Sequence, residues 1–298
     1  MERMHTPVMA KDALSFLDPK PGKIYIDCTI GAGGHSETLL KLGSKVIGID
    51  QDAEVLEIAR ERLSIYGDKI IFIHENFRNL DSILNELNIQ QVDGIIYDLG
   101  VSTYQLNKAE RGFSFQKDGP LDMRMDKERK TKAYDLVNHL SEKELSEIIW
   151  AYGEDKWAKR IAKQIIFFRQ KEGSISTTSK LVKIIKTVVP KKSSIKIHPA
   201  TRTFQAFRIA VNNELSSLEK SLEKAKSFLS KDGKIIVISF HSLEDRIVKN
   251  KFKEWEKMHP PLVKVLSKKP FIPTLEEIKI NPRARSAKFR VAQKSIGG

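Results

Sequence analysis

Ile24-Tyr25-Ile26-Asp27-Cys28-Thr29-Ile30-Gly31-Ala32-Gly33-Gly34-His35 is the stretch that decides the fold. An apolar run ends in an acid and breaks into a glycine loop, as a buried strand does when it feeds a tight turn. Helical spacing follows from Ser36 to Leu42, with Gly43 as its stop. Lys45-Val46-Ile47-Gly48-Ile49-Asp50 is a second apolar run, and it too ends in an acid. A strand–loop–helix–strand unit with an acid at each strand tip is how an α/β sheet grips an adenosine-containing cofactor.

Further strand runs occur at Ile70–His74 and Val92–Asp98, with helical patterns at Ala53–Ile65 and Leu80–Leu87. Strands alternating with helices predict right-handed crossovers and a parallel sheet. After Gly100 the alternation stops. Residues 106 to about 205 carry polar loops and helical periodicity, at Asp135–Tyr152 (with a Ser141-x-x-Glu144 capping box), Trp157–Lys171 and Thr178–Val188. Thr203–Leu229 reads as one long helix, Lys231-Asp232-Gly233 as a turn, and Lys234–Ser239 as a fifth strand. Leu262–Leu266 and Lys288–Ala292 are two final strand candidates. The predicted architecture is one doubly wound α/β domain, residues 1–105 and 206–298, interrupted by a helical insert, 106–205. Insertion beyond the carboxyl end of a strand puts the insert over the cofactor crevice.

The 298 residues are 40% hydrophobic and 30% charged, the composition of a globular protein. No apolar run is long enough to cross a bilayer, and Met1–Pro7 lacks a signal-peptide core, so a cytoplasmic protein away from membranes is expected. The single cysteine, Cys28, excludes an intrachain disulfide and a cysteine-rich metal site; no metal site is predicted. The net charge is +14, and residues 106–205 hold 22 Lys and Arg against 12 Asp and Glu. Gly173 to Asn213 contains eight basic residues and no acid, including Lys191, Lys192 and Lys196. Such a stretch is either a solvated basic face or a polyanion contact, and its length favours the polyanion.

Gly31-x-Gly33-x-x-Ser36 approximates the dinucleotide fingerprint, and Asp50, 17 residues after Gly33, falls where an acid takes ribose hydroxyls. A nicotinamide cofactor is the alternative, but Asp27 would repel its pyrophosphate. The same carboxylate suits the ammonium or sulfonium of S-adenosylmethionine. Gly33 and Gly34 let the backbone approach a ligand closely. His35 either caps the following helix or contacts the ligand, and Phe77, past the third strand, either flanks an adenine or packs in the core. Asp98 ends the fourth strand in the same crevice. It either accepts hydrogen bonds from a target amine or binds the methionine ammonium. Methylation of a pyrimidine ring carbon needs a thiol nucleophile. The only thiol sits inside the first strand, so direct attack by nitrogen or oxygen is favoured.

The same motifs continue through the chain: His5-Thr6-Pro7-Val8, Asp98-Leu99-Gly100-Val101-Ser102-x-x-Gln105-Leu106, Arg111-Gly112-Phe113-Ser114-Phe115 and Pro120-Leu121-Asp122-Met123-Arg124-Met125. Later come His198-Pro199-Ala200-x-Arg202-x-Phe204-Gln205-Ala206-x-Arg208, Ser239-Phe240-His241-Ser242-Leu243-Glu244-Asp245-Arg246 and Asn281-Pro282-Arg283-Ala284-Arg285-Ser286-Ala287-Lys288-x-Arg290. In these the chain resembles the ribosomal RNA small-subunit methyltransferase H family, also called MraW. Tyr104 stands where that family often has proline. The resemblance implies a class I S-adenosylmethionine-dependent methyltransferase fold with an inserted helical domain for RNA. It implies methyl transfer to the exocyclic N4 of a cytidine in the decoding region of small-subunit ribosomal RNA. It places cofactor contacts at Gly33, Gly34, His35, Asp50, Phe77, Asp98 and Gln105, and so gives Asp98 at least in part to the cofactor. Ribosomal RNA within the small subunit is the expected partner, and a homo-oligomer is open. Candidate acceptors for the N4 proton are Asp98, a carbonyl of Leu99–Val101, and His241 after the fifth strand. Phe113, Phe115 and Met123 are candidates for a slot around the flipped base, with core packing as the alternative.

Overall fold

The computed structural model describes residues 7–189 and 198–295; His5, Thr6, Lys191, Lys192 and Lys196 fall outside them. Seven strands form one sheet: β1 (Ile24–Asp27), β2 (Lys45–Asp50), β3 (Ile70–His74), β4 (Val92–Asp98), β5 (Leu229–Ser239), β6 (Val263–Val265) and β7 (Lys288–Lys294). Their order is β3-β2-β1-β4-β5-β7-β6. The chain runs outward from β1 to β3, then returns to lay β4 on the other side of β1. That reversal opens a crevice at the carboxyl ends of β1 and β4. β1 to β5 are mutually parallel; β7 enters antiparallel between β5 and β6. The sheet is therefore mixed rather than wholly parallel, because β7 is reached without a crossover that would restore its direction.

Four helices accompany the first strands: α1 (Ala10–Leu17), α2 (Gly34–Lys41), α3 (Ala53–Leu63) and α4 (Leu80–Glu86). Six follow β4: α5 (Thr103–Asn107), α6 (Ala133–His139), α7 (Glu142–Gly153), α8 (Ala158–Glu172), α9 (Thr178–Val188) and α10 (Thr201–Asn212). Then come α11 (Glu214–Phe228), α12 (Ser242–Glu256) and α13 (Leu275–Ile280). Alternation along each strand sorts the core into two layers. Ile26, Ile47, Ile95, Tyr97, Ile235 and Val237 pack under α4, α11 and α12 through Leu84, Leu222, Phe252 and Trp255. Tyr25, Val46, Ile96 and Ile236 pack on the opposite face with Leu17, Leu39, Leu56 and Leu63. Both faces are covered, which is why the central strands read as unbroken apolar runs.

The helical pattern read over Asp135–Tyr152 is two helices, α6 and α7, with Ser141 capping the second, and two further readings also change. The long helix expected over Thr203–Leu229 is two helices, because Asn213 takes a left-handed conformation (φ 55°) and ends α10. The turn at Lys231–Gly233 lies within β5: Leu229 pairs with Val92 and Lys234 with Gly94, so the residues between them loop out as a bulge.

The chain divides into two compact units, residues up to Gly100 with those from Leu215, and Val101–Glu214. The limits differ from the expected 105/106 and 205/206 for a packing reason. Val101 lies against the second unit's core, and Phe207 and Val211 of α10 belong to it. That core is built by α6 to α10 around Val137, Leu145, Ile149, Ile161, Ile165 and Leu181, among others. Its loop from Arg111 to Met125 is fastened by polar contacts. Arg111 donates to the carbonyls of Arg124 (2.9 Å) and Met125 (3.0 Å). Asp122 holds Arg124 through two hydrogen bonds (2.7 and 2.8 Å). Buried Asn212 accepts from the Met125 N–H at 2.8 Å and donates to the Met123 and Arg208 carbonyls at 2.7 and 2.9 Å.

Candidate active site

The crevice of the first unit gathers its acids from three strand tips. Asp27, at the end of β1, is 1% exposed. Its Oδ2 accepts from the Ser36 hydroxyl at 2.8 Å and its Oδ1 from the Thr29 N–H at 3.3 Å. Burial pushes its pKa up, against the pull of His35 and Ser36. The Thr29 hydroxyl accepts from the Asp98 N–H at 2.6 Å and so ties the tips of β1 and β4 together. From β1 the chain turns into α2 through Gly31 (φ 53°) and Gly33 (φ 83°), both left-handed. The left-handed φ favours glycine at Gly33, and a Cβ there would also press on Leu63 Cδ1 at 2.8 Å.

His35, in the first turn of α2, is buried, and its Nε2 lies 3.4 Å from Asp98 Oδ2 without hydrogen-bond alignment. Burial opposes the imidazolium. Asp98 and Asp27 outweigh that opposition and hold its pKa above the ordinary histidine range. Asp98 Oδ1 and His35 Nε2 are both buried, and neither has a hydrogen-bond partner among the described residues. The orphaned Asp98 oxygen and the imidazole that the same carboxylate helps keep charged are an acceptor and a donor side by side. They fit the ammonium and carboxylate of an amino acid moiety, as at the methionine end of S-adenosylmethionine.

At the tip of β2, Asp50 accepts from the backbone N–H groups of Gly31 (3.0 Å) and Asp52 (2.9 Å). Burial, with Asp52 and Asp27 nearby, raises its pKa to about 7 despite those two donors. Past β3, Asn76 accepts from the Arg78 N–H and donates to the Gln51 side chain. Phe77 sets its ring edge-on to Tyr97 (5.7 Å, 89°) while remaining partly exposed. It is thus both packed in the core and open at the tip. Cys28 is buried with its thiol pKa pushed up, so it presents no thiolate.

After β5, His241 is the N-cap of α12. Its Nδ1 accepts from the Glu244 N–H at 3.4 Å. Glu244 Oε2 accepts from the N–H groups of Phe240 (2.8 Å) and His241 (3.3 Å). Buried Glu244 thereby fixes the loop following β5. Sequence reading passed over it, although His241-x-x-Glu244 has capping-box spacing.

Gln105 lies in the second unit. Its side-chain carbonyl accepts from the Ser102 N–H (2.9 Å) and its own N–H donates to the Ser102 hydroxyl (3.1 Å), a closed capping box on α5. Of the three slot candidates, Phe113 and Met123 are buried in the second unit's core. Phe115 stacks on His198 (4.4 Å, 22°) and meets Phe204 edge-on.

A sheet of this order, with an acid at each of three adjacent strand tips and a glycine loop between, defines a class I S-adenosylmethionine-dependent methyltransferase. Residues 2–295 match the MraW methylase family, and the chain belongs to that family. A Clostridium botulinum (strain Kyoto / Type A2) protein named ribosomal RNA small subunit methyltransferase H is 49% identical over 310 residues, 99% of this chain and 100% of its own. The protein of the same name from Clostridioides difficile (strain 630) is 47% identical over 311 residues, with the same coverage. Among solved structures, a putative rRNA-methylase from Clostridium thermocellum covers 98% of this chain and 99% of its own at 11% identity and a TM-score of 0.46.

Proposed function

We propose that this methyltransferase modifies small-subunit ribosomal RNA, at the exocyclic N4 of a cytidine in the decoding region, with Val101–Glu214 recognising the RNA. Family membership and the names of the full-length relatives support ribosomal RNA as the substrate class. The observation that carries the chemistry is the buried, unpartnered Asp98 oxygen beside His35 at the β1/β4 switch point.

S-adenosylmethionine, when bound, supplies an electrophilic methyl on its sulfonium. Asp27, His35 and Asp98 would hold its amino acid end, Asp50 would take the ribose hydroxyls, and Phe77 would lie against the adenine, with the Gly33–Gly34 backbone beside them. The N4 amine of cytosine is a poor nucleophile because its lone pair is drawn into the ring. An acceptor beside the N–H groups favours a pyramidal nitrogen and receives the proton. Asp98 is our candidate, with the carbonyls of Leu99–Val101 as the next. His241 already gives its Nδ1 to the α12 cap, and its Nε2 lies 3.1 Å from Glu244 Oε1. Gln105, held in the α5 cap, acts on the cofactor through the loop it orders.

The test is nucleoside mass mapping after incubation with S-adenosylmethionine and small ribosomal subunits carrying unmodified RNA. N4-methylcytidine at one decoding-region position is expected. Methylation of another base, or of protein only, would overturn the proposal.

A further inference from the structure

The exposed face of α8 carries a row of cations that the sequence reading did not single out. Lys159, Arg160, Lys163 and Lys171 are exposed, while Ala158, Ile161, Ala162 and Ile165 of the same helix are buried in the second unit's core. Lys156 extends the row just before the helix. None of the five cations forms an ion pair within the described residues, and the helix's one acid, Glu172, stands 4.0 Å from Lys180. Two aromatic rings interrupt the row. Phe167, 49% exposed, has the Lys171 ammonium 5.7 Å from its centre. Trp157 has Lys156 at 5.5 Å and Arg160 at 5.0 Å. Trp157 also lines a cavity of about 200 Å³, together with His198 and Arg202.

Unpaired cations at helical spacing, with aromatic faces between them, are what a nucleic-acid strand needs: charges for phosphates and rings for unstacked bases. A basic helix can also lie on an anionic membrane, but that requires an apolar face free to insert. The apolar face of α8 is occupied by the core of its own unit. We propose that this face, over the roughly 22 Å length of the helix, is a ribosomal RNA docking surface distinct from the target-nucleotide pocket. The backbone of the RNA runs along Lys159, Arg160, Lys163 and Lys171, and a base stacks on Phe167. The proposal rests on the reading of ribosomal RNA as substrate.

The test uses the full chain with Lys159, Lys163 and Lys171 all changed to Glu, and small ribosomal subunits carrying unmodified RNA as the probe. Affinity should fall tenfold or more at about 0.1 M salt, and the slope of log affinity against log salt should flatten by about 2. S-adenosylmethionine affinity and Tm should stay at wild-type values, and the Lys→Arg triple variant should restore binding. As a second measurement, benzoylphenylalanine placed at position 167 should photocrosslink to the RNA. A wild-type salt slope, or no crosslink in subunits that the protein methylates, overturns the docking surface and leaves the methylation proposal intact. Loss of binding to phosphatidylserine vesicles with RNA affinity unchanged overturns it in favour of a membrane. If the wild-type protein methylates no ribosomal RNA, the functional proposal fails, while the binding loss and the crosslink still decide the surface.

Discussion

The strand tips of the first unit and the Arg111–Met125 loop of the second are both rich in buried polar groups, yet they are built to opposite rules. In the loop the network closes. Arg111, Asp122, Arg124 and Asn212 find partners within their own unit, and the Asn212 amide uses its oxygen and its nitrogen. At the strand tips it stays open: Asp98 Oδ1 is buried without a hydrogen bond among the described residues, and His35 Nε2 meets Asp98 Oδ2 only as an ion pair at 3.4 Å. Burying a polar group without a partner costs about 1–3 kcal/mol, more when it is charged. A fold keeps such groups where something else completes them. The closed network is a fastening, and the open one is a site.

The largest effect expected from this contrast is on turnover. Asp98→Ala should lower kcat/KM for small ribosomal subunits by about 10²–10⁴, the range for losing a positioned proton acceptor, while thermal stability holds or rises. Steady-state methyl transfer together with a melting curve tests both halves. A variant that is unstable but active would place Asp98 with the fastenings. The converse probe is Asn212→Ala, which removes two buried hydrogen bonds and one part-buried one. It should destabilise the protein by about 3 kcal/mol, measured by denaturant unfolding, with S-adenosylmethionine affinity unchanged under folding conditions. Loss of cofactor affinity at full stability would break the distinction between the two regions.

A smaller effect separates the acids within the open site. Asp50 has a pKa of about 7 in the folded protein, against about 3.9 unfolded. The folded state therefore binds the extra proton between these values, and this residue's contribution to stability declines as pH rises from about 4 to about 7. Ribose hydroxyls need the ionised acceptor, so S-adenosylhomocysteine affinity should increase roughly tenfold from pH 6 to pH 8, since ionisation gains up to tenfold per pH unit below the pKa. Calorimetry across that range should show the rise in the wild type and a flat, weaker profile in Asp50→Asn. An unchanged profile in the variant would remove Asp50 from the ribose.

What the sequence made readable follows from burial. β1 to β5 are covered on both faces, so they appear as apolar runs, and the acids that end them stand out against that background. The direction of β7 was not legible, since periodicity is the same either way along a strand. The break at Asn213 was hidden because apolar spacing continues across it, from Val211 to Leu218. Asn212 was overlooked for a related reason: one amide in an apolar helix looks like a lapse until its partners, some 90 positions earlier, are known. Gln105 and His241 carry visible capping-box spacing, but a motif read for chemistry concealed its local backbone use.

His241 gives the finest test, because it stands at a tip of the open region while making contacts typical of the closed one. Its Nδ1 accepts from the Glu244 N–H, and Glu244 returns hydrogen bonds to the N–H groups of Phe240 and His241. If capping is its whole role, His241→Ala should cost about 1 kcal/mol of stability, and His241→Asn, which keeps a cap acceptor, should recover most of it. kcat should then be near wild type in the Asn variant. If the Nε2 also serves the reaction, the Asn variant regains stability but not kcat. Both ring nitrogens face Glu244, Nδ1 its N–H and Nε2 its carboxylate at 3.1 Å, so the Asn variant, which keeps only the cap, separates the backbone contact from what Nε2 does.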